Sequence, residues 1–437
     1  MKRNLSPDPL TAVSAAPGRT RLAARIRRIT ITGDRSVKIV CFLSLLLLTV
    51  PAFGQVPQDG LARLSIKSEV MGEERVILVR TPPGYERSTD RYPVLYMTDG
   101  DAHLLHTSGT ISFLARNGRI PEMILVGITN TDRTRDLTPT HASFNEAGAT
   151  NNDPFPTSGG ADKFLKFIET ELIPQIEAKY RTQPYRVLAG HSFGGLFAVH
   201  ALLSRPELFN AYISVSPALN WDNNLVLKRA EEFFKGRKEW NRTLYVTLGN
   251  EPGGIFDGFK GFKKILSQHQ PKGFEWEAAH MDDEDHGSVV LRSHYYGLRK
   301  VFAGWQMPRD PATGAIAGGL PAAEEHYKKL SQKFGYTIPI PEALVNQIGY
   351  QLLGAGKTEE AIAAFKSNVE RYPASANVYD SLAEAYERSG RLSDARPNYE
   401  KAYALGKENG DPNTGIYKTN MERVVQQTKQ GDNTAVK

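Results

Sequence analysis

Short apolar runs alternate with longer stretches of helical periodicity between residues 61 and 306. Runs rich in β-branched and aromatic residues indicate strands, and strands separated by helices indicate an α/β domain. The predicted strands cover residues 64–70, 75–80, 93–98, 123–128, 186–189, 211–215, 244–248 and 274–280. The pattern therefore predicts a single sheet built from these runs.

The content of the individual runs predicts how the strands pair. The first two are separated by Met71-Gly72-Glu73, which favours an antiparallel pair. Later runs such as MILVGI at 123–128 are continuously apolar, as in parallel strands covered by helices on both faces. A helix is predicted at 162–180, with a kink at Pro174. The predicted fold class is α/β, a mostly parallel central sheet with helices on both faces.

The pattern changes beyond residue 306. Residues 307–321 are rich in Gly, Ala and Pro without periodicity, which indicates a linker. The segment 322–408 is helical in character. Within it, 348–372 aligns with 382–406 at an offset of 34 residues, a period that resembles tetratricopeptide repeats, which are pairs of antiparallel helices.

The alignment of the two repeats matches Gly356 with Gly390 in the turns and Ala361 with Ala395 where helices pack closely. Two repeats are fewer than a free-standing array needs, so a lead helix at 322–334 is expected to pack as a cap. The polar tail 409–437 is expected to be disordered.

Residues 1–54 read as an N-terminal extension and signal peptide. Basic residues precede the apolar run IVCFLSLLLLTV at 39–50, and Ala52-Phe53-Gly54 follows it. A buried helix or a membrane anchor is the alternative, but a span needs about 20 apolar residues. We expect cleavage near Gln55, no stable membrane anchor afterwards, and a periplasmic or secreted protein.

Charge and cysteine content further limit the possible partners, disulfides and metal sites. The net charge of +6 comes from residues 1–54, where nine Lys or Arg face two Asp, so the remaining chain is close to −1. This argues against a nucleic-acid partner. The single cysteine, Cys41, lies in the apolar run, so the mature chain would have neither a disulfide nor a thiolate metal site.

The segment GHSFG at 190–194 follows an apolar strand and opens an apolar helix. Strand, G-x-S-x-G turn and helix together form a nucleophile elbow, in which small residues at Gly190 and Gly194 let strand and helix approach. A structural serine in a glycine-rich turn is the alternative reading. The context favours Ser192 as a catalytic nucleophile, which needs a base to take its proton.

A base and an acid are expected later in the chain. The order serine, acid, histidine points to His286, which lies in a loop directly after the last strand. The orienting acid should follow the preceding strand, where Glu251 is the first choice and Asp257 the alternate. A surface carboxylate is the alternative role for Glu251.

Backbone donors and substrate contacts are expected at the same edge of the sheet. The oxyanion hole is assigned to the amides of Phe193 and Asp101, with Gly100 as the alternative to Asp101. Arg133 and Arg135, after the fourth strand, and Trp221, after the sixth, are candidate substrate contacts. For the arginines, the alternative is an Arg–Asp pair that fixes the loop.

The motifs YPVLYMTDGD, TNTDRTRDLTP, GHSFGGLFA, SPALNWDN and EDHGSV occur in this order across roughly residues 61–306. They resemble the putative-esterase family of α/β hydrolases, which includes periplasmic siderophore esterases, S-formylglutathione hydrolases and, more distantly, mycolyltransferases. The resemblance implies an α/β-hydrolase fold for an esterase domain at 55–306, with Ser192 and His286 catalytic. Some siderophore esterases of this type rely on a serine–histidine pair, so the acid stays open.

The combined reading is an exported serine esterase that acts on small esters, with no cofactor and no metal. An acyltransferase of the same fold is one alternative. A second alternative is a binding protein with a vestigial hydrolase domain, in which the repeats recruit a protein partner.

Overall fold

The computed structural model describes residues 60–142 and 153–435. The signal-peptide and cleavage predictions for residues 1–54 lie outside this part of the chain. The described residues belong to one compact unit. Within the described ranges, no helix combines the length and apolarity that a membrane span requires.

All eight predicted strands are present, with ends that move by a few residues. They belong to one sheet. The strands are β1 (Leu61–Ser68), β2 (Glu73–Arg80), β3 (Tyr92–Met97), β4 (Ile124–Ile128), β5 (Thr182–His191), β6 (Ala211–Val215), β7 (Thr243–Leu248) and β8 (Glu275–His280).

The strand order across the sheet is β1-β2-β4-β3-β5-β6-β7-β8. β1 pairs antiparallel with β2, as predicted, and β2 pairs antiparallel with β4. Every remaining neighbour is parallel. The carboxyl ends of β3 to β8 therefore meet at one edge, where α/β sheets place their ligands.

Side-chain alternation along the strands divides the core in two. Val94 and Tyr96 of β3 belong to one cluster of buried residues. Leu95 and Met97 of the same strand belong to a second cluster. Because both faces are buried, the strand is apolar at every position, which confirms the prediction from the continuous runs.

Helices cover both faces of the sheet. The α-helices up to residue 301 are α1 (Gly100–Arg116), α2 (Arg133–Leu137), α3 (Ala161–Phe167), α4 (Ile173–Lys179), α5 (Phe193–Ser204), α6 (Trp221–Lys235), α7 (Gly254–Gln268) and α8 (Val289–Val301). The first cluster receives side chains from α3 to α7, and the second from α1 and α8.

The segment predicted as one kinked helix at 162–180 contains a π-helical turn. Ile168–Leu172 separates α3 from α4, and Pro174 lies in the first turn of α4. Proline has no N–H to donate to the preceding turn, so the hydrogen-bond ladder widens just before it.

The C-terminal region consists of helices throughout. They are α9 (Gly319–Phe334), α10 (Glu342–Gly354), α11 (Thr358–Arg371), α12 (Ala376–Arg388), α13 (Leu392–Asn409) and α14 (Thr414–Ala435). Gly356 and Gly390 occupy the turns of the two helix pairs with positive φ of 72° and 77°. Ala361 and Ala395 are buried in a shared cluster, as the offset of 34 residues predicted.

Two sequence-based expectations for this region need correction. The linker is shorter and less open than predicted, because Met307 and Ile316 are buried and α9 starts at Gly319. The tail expected to be disordered forms α14, because Tyr417 and Val424 bury apolar surface against the preceding helices.

The lead helix α9 packs on the sheet domain. The ring of Phe334 lies with its centroid 5.1 Å from that of Tyr185, 5.4 Å from Phe302 and 5.7 Å from Trp305. The helices α9 and α10 and the second face of the sheet consequently share one core.

Replacing Phe334 with alanine tests this shared core. Phe334 is 3% exposed, and removing a buried phenylalanine costs about 3–5 kcal/mol through lost burial and a residual cavity. We expect the Phe334→Ala midpoint in urea to fall accordingly. Phe113→Ala is the matched control, because Phe113 is 53% exposed and its loss should cost less than about 1 kcal/mol. Equal midpoints for the two variants would contradict the shared core.

Candidate active site

Ser192 sits on a sharp turn between β5 and α5. Its backbone has φ 60° and ψ −114°, a conformation that side-chain-bearing residues rarely adopt. The turn is fixed by hydrogen bonds from Ser192 N to Val215 O and from Leu196 N to Ser192 O, each 2.9 Å long. The strand–turn–helix context predicted for the GHSFG motif is therefore present.

Close contacts with neighbouring atoms explain the two glycines of this turn. A Cβ atom on Gly190 would lie 2.2 Å from Gly194 O, and one on Gly194 would lie 2.3 Å from Thr98 Oγ1. Neither position has room for a side chain. The serine is consequently presented at the carboxyl edge of the sheet, between β3 and β6.

His286 and Glu251 meet at this edge. His286 Nδ1 lies 2.5 Å from Glu251 Oε2. Burial alone would raise the pKa of Glu251, but hydrogen bonds from His286 and Ser216 outweigh it and lower the pKa below its usual value. The carboxylate is thus ionised at neutral pH and holds the imidazole through Nδ1.

The alternate acid, Asp257, lies elsewhere. It belongs to the first turn of α7, its side chain is 71% exposed, and its Oδ1 lies 3.0 Å from Lys260 Nζ. The structure brings Glu251 rather than Asp257 to His286.

The two loops that carry Glu251 and His286 are joined through their main chains. Asn250 N donates to Glu284 O at 2.6 Å. A Cβ atom on Gly249 would lie 2.8 Å from Asp285 O, so a side chain there would separate the loops. Asp285 Oδ1 in turn accepts from the amides of Gly287 and Ser288, which fixes the turn after His286.

The predicted oxyanion donors lie at the starts of two helices. Phe193 is the first residue of α5, and Gly100 and Asp101 are the first two of α1. Amides in the first turn of a helix have no partner within that helix. The next two amides of α1 both donate to Asp99 O, which leaves Gly100 and Asp101 as candidate donors.

Arg133 forms an ion pair with the buried Asp99. Its Nε donates to Asp99 Oδ1 at 2.6 Å, and its Nη2 donates to Asp99 Oδ2 at 3.1 Å and to His191 O at 3.0 Å. The guanidinium also lies 5.5 Å from the centroid of the Phe193 ring. Arg133 is near Ser192, and it ties the start of α1 to the end of β5.

Arg135 belongs to a separate ion-pair network. It donates to Glu73 and to Asp136 Oδ1, while the buried Arg75 contacts the same two carboxylates. The hydrogen bond from Arg135 holds the pKa of Glu73 below its usual value. The prediction of a substrate contact is replaced here by the alternative, a charge pair that fixes the loop.

Trp221 lies beneath Phe193 instead of facing a ligand. Its side chain is 2% exposed, and its Nε1 donates to Thr140 O at 3.2 Å. The indole packs edge-on against Phe193 with ring centroids 5.3 Å apart. Its predicted direct contact with substrate is therefore wrong, because the ring is covered and supports the residue next to Ser192.

Two residues of the site were missed by the sequence reading, namely Asp99 and His191. Asp99 is buried with φ 55°, a left-handed backbone at the start of α1. His191 Nε2 lies 2.7 Å from His286 O. Asp99 directly precedes Gly100, and His191 directly precedes Ser192. This adjacency to predicted site residues was the signal available in the sequence.

A row of histidine rings extends from the site into the protein. The ring centroids of His286 and His191 are 4.5 Å apart, those of His191 and His103 5.5 Å, and those of His103 and His106 5.2 Å; the His106 ring then stacks on His294 at 5.7 Å. Burial, together with the neighbouring His286 and His103, lowers the pKa of His191 to about 4. Burial likewise lowers the pKa of His103, His106 and His294.

Comparisons with known proteins agree with this architecture. The family described as "Putative esterase" matches residues 68–248. A siderophore triacetylfusarinine C esterase of Aspergillus fumigatus is 33% identical over 270 residues, which cover 54% of this chain and 90% of that protein. A ferri-bacillibactin esterase of Bacillus subtilis is 29% identical over 220 residues, covering 46% and 75%.

Among solved structures, an IroE-like serine hydrolase of Shewanella oneidensis superimposes with a TM-score of 0.61 at 29% identity. The match covers 71% of this chain and 99% of that one.

The histidine row predicts acid sensitivity. A histidine whose pKa is lowered on folding binds its proton more readily in the unfolded chain. Its contribution to the free energy of unfolding is therefore fully present above about pH 6.5 and is lost as the pH falls toward 4. For His191 alone the loss by pH 5 is roughly 2 kcal/mol. Urea titrations at pH 7.5 and pH 5.0 should show this fall, and it should be smaller in His191→Gln. A midpoint independent of pH over this range would contradict the prediction.

Proposed function

Because this chain belongs to the putative-esterase family and is a carboxylic ester hydrolase, we propose that it cleaves small esters through an acyl-enzyme on Ser192. His286 is the general base and Glu251 is the acid that orients it. The observation that carries the proposal is the contact between His286 Nδ1 and Glu251 Oε2, which is 2.5 Å long. The main-chain carbonyl of His286 is in turn hydrogen-bonded to His191, the residue before Ser192.

The proposed reaction has two acyl-transfer steps. Nε2 of His286 takes the hydroxyl proton as Ser192 Oγ attacks the ester carbonyl, and the imidazolium returns that proton to the departing alcohol. Water then attacks the acyl-enzyme by the same route and releases the acid. Glu251 stabilises the imidazolium and keeps Nδ1 protonated, so that Nε2 is the nitrogen available to the serine.

The negative charge of the tetrahedral intermediate is assigned to the amides of Phe193 and Asp101. Both amides stand at helix N-termini, where unpaired N–H groups and the positive end of the helix dipole favour an oxyanion. Arg133 supports this arrangement, because it joins Asp99, the residue before α1, to His191 at the end of β5.

Siderophore-like esters are the substrate class we propose to examine first. Support comes from two relatives, one named as an esterase of ferri-bacillibactin and the other as an esterase of the siderophore triacetylfusarinine C. Other small esters fit the same chemistry.

We also propose that the protein is exported to the periplasm or secreted. The support is the basic-flanked apolar run at 39–50 and the small residues that follow it.

Ser192→Ala is expected to abolish turnover of p-nitrophenyl acetate and of siderophore lactones, because it removes the nucleophile. Glu251→Gln should lower kcat by about 100-fold or more, because an amide no longer fixes the productive tautomer of His286. Steady-state kinetics on the purified chain measure both effects.

Asp257→Asn is the matched control for the acid. It removes a carboxylate from the stretch that follows the same strand, on an exposed side chain, and should leave kcat within about twofold. Unchanged turnover in Ser192→Ala would contradict the nucleophile assignment. Unchanged turnover in Glu251→Gln would reduce the proposal to a serine–histidine pair.

Export is tested by expressing the full chain with its own N-terminus in a Gram-negative host. We expect the periplasmic fraction to contain a product that begins near Gln55 by intact mass. A full-length product confined to the cytoplasm would contradict export.

A further inference from the structure

We propose that His191, the residue before Ser192, is a positioning residue that holds the main chain of the general base. The inference rests on the proposed function, because it concerns the placement of His286 relative to Ser192. It adds a restraint that is independent of Glu251.

The direction of the hydrogen bond between the two histidines follows from its chemistry. Nε2 of His191 lies 2.7 Å from the carbonyl oxygen of His286. A carbonyl oxygen only accepts, so Nε2 of His191 carries the proton and donates it. In a neutral ring this leaves Nδ1 without a proton, which fixes the tautomer.

His191 is itself held on rigid structure. It is the last residue of β5 and pairs with Val215 of β6 in the sheet. Its own carbonyl accepts from Arg133 Nη2 at 3.0 Å, and Arg133 is paired with the buried Asp99. The imidazole therefore connects β5 directly to the loop of His286, which is otherwise held by its own turn and by contacts with β7 and the Glu251 loop.

The two restraints on His286 act on different parts of the residue. Glu251 contacts the ring through Nδ1 and sets its rotation. His191 contacts the main-chain carbonyl and sets the position of the loop relative to Ser192. In the proposed mechanism, both restraints position Nε2 of His286 for proton transfer from the serine hydroxyl.

A neutral support suits the charge that develops at the base. The titratable groups that act on the His191 ring include His286, His103 and Asp99, and the charge of Asp99 is balanced by its ion pair with Arg133. Burial and the neighbouring histidines lower the pKa of His191 to about 4, so it stays neutral while His286 becomes an imidazolium beside it. A lysine or arginine in the same place would oppose that charge.

The test compares three variants at this position. His191→Gln places an amide N–H near the Nε2 position and keeps the donor. His191→Phe keeps the ring and removes the donor, and His191→Asn keeps a donor that is too short to reach. The readouts are kcat and KM for p-nitrophenyl acetate and the rate at which a fluorophosphonate labels Ser192, located by peptide mass spectrometry.

We expect His191→Phe to lower both the labelling rate and kcat by about 10- to 100-fold with KM nearly unchanged, because misplacing the base by a fraction of an ångström affects proton transfer and not binding. His191→Gln should recover to within about fivefold of the original rate. His191→Asn should resemble His191→Phe, and it decides the matter if the phenylalanine variant does not fold.

Wild-type labelling rates in His191→Phe or His191→Asn would overturn the inference. Equal impairment in His191→Gln and His191→Phe would do so as well, since the hydrogen bond would then not be the cause. Failure of the proposed function is distinguishable, because the unaltered chain would then carry no label at Ser192. Thermal midpoints of all variants identify any loss that comes from unfolding.

Discussion

Close packing against glycine backbone at the carboxyl edge of the sheet is the constraint on which the candidate site depends. The turn at Ser192 has its shape because the main chain of Gly194 packs against the side chain of Thr98, and Glu251 reaches His286 because Gly249 lets its loop touch the carbonyl of Asp285. In each case a Cβ atom would force apart two segments distant in sequence. The side chains that carry the chemistry are ordinary; their meeting is a property of the backbone around them.

Local pattern was sufficient for the fold and for the pairing of His286 with Glu251. Strands buried on both faces leave continuous apolar runs, and the G-x-S-x-G turn, followed by a histidine after the last strand, leaves an order that can be read along the chain. Glu251 was chosen over Asp257 by its position directly after β7. That choice agrees with the geometry because β7 and β8 are neighbours and their loops must adjoin.

Contacts between residues that are distant in sequence account for the features that could not be predicted. Arg135 is occupied by Glu73, a residue on β2 with no local signal that the two would meet. Trp221 is covered because α6 starts beneath Phe193, which depends on tertiary packing. The sequence does contain a helical pattern for α14, because Tyr417, Met421 and Val424 follow the spacing i, i+4, i+7. That pattern is short, and the polar composition of the surrounding segment favoured disorder instead.

The helices α9 and α10 are part of the packing that supports the candidate site. α9 and α10 contribute to the same buried cluster as α1 and α8. The proposed oxyanion donor Asp101 is the second residue of α1, and α8 begins three residues after His286. Because a close-packed interior transmits displacement, the packing that fixes the axes of α1 and α8 also fixes the loops at their first turns. The helices α9 and α10 consequently support the two loops whose spacing the proposed chemistry requires. They do so by packing against α1 and α8 at the ends that lie away from those loops.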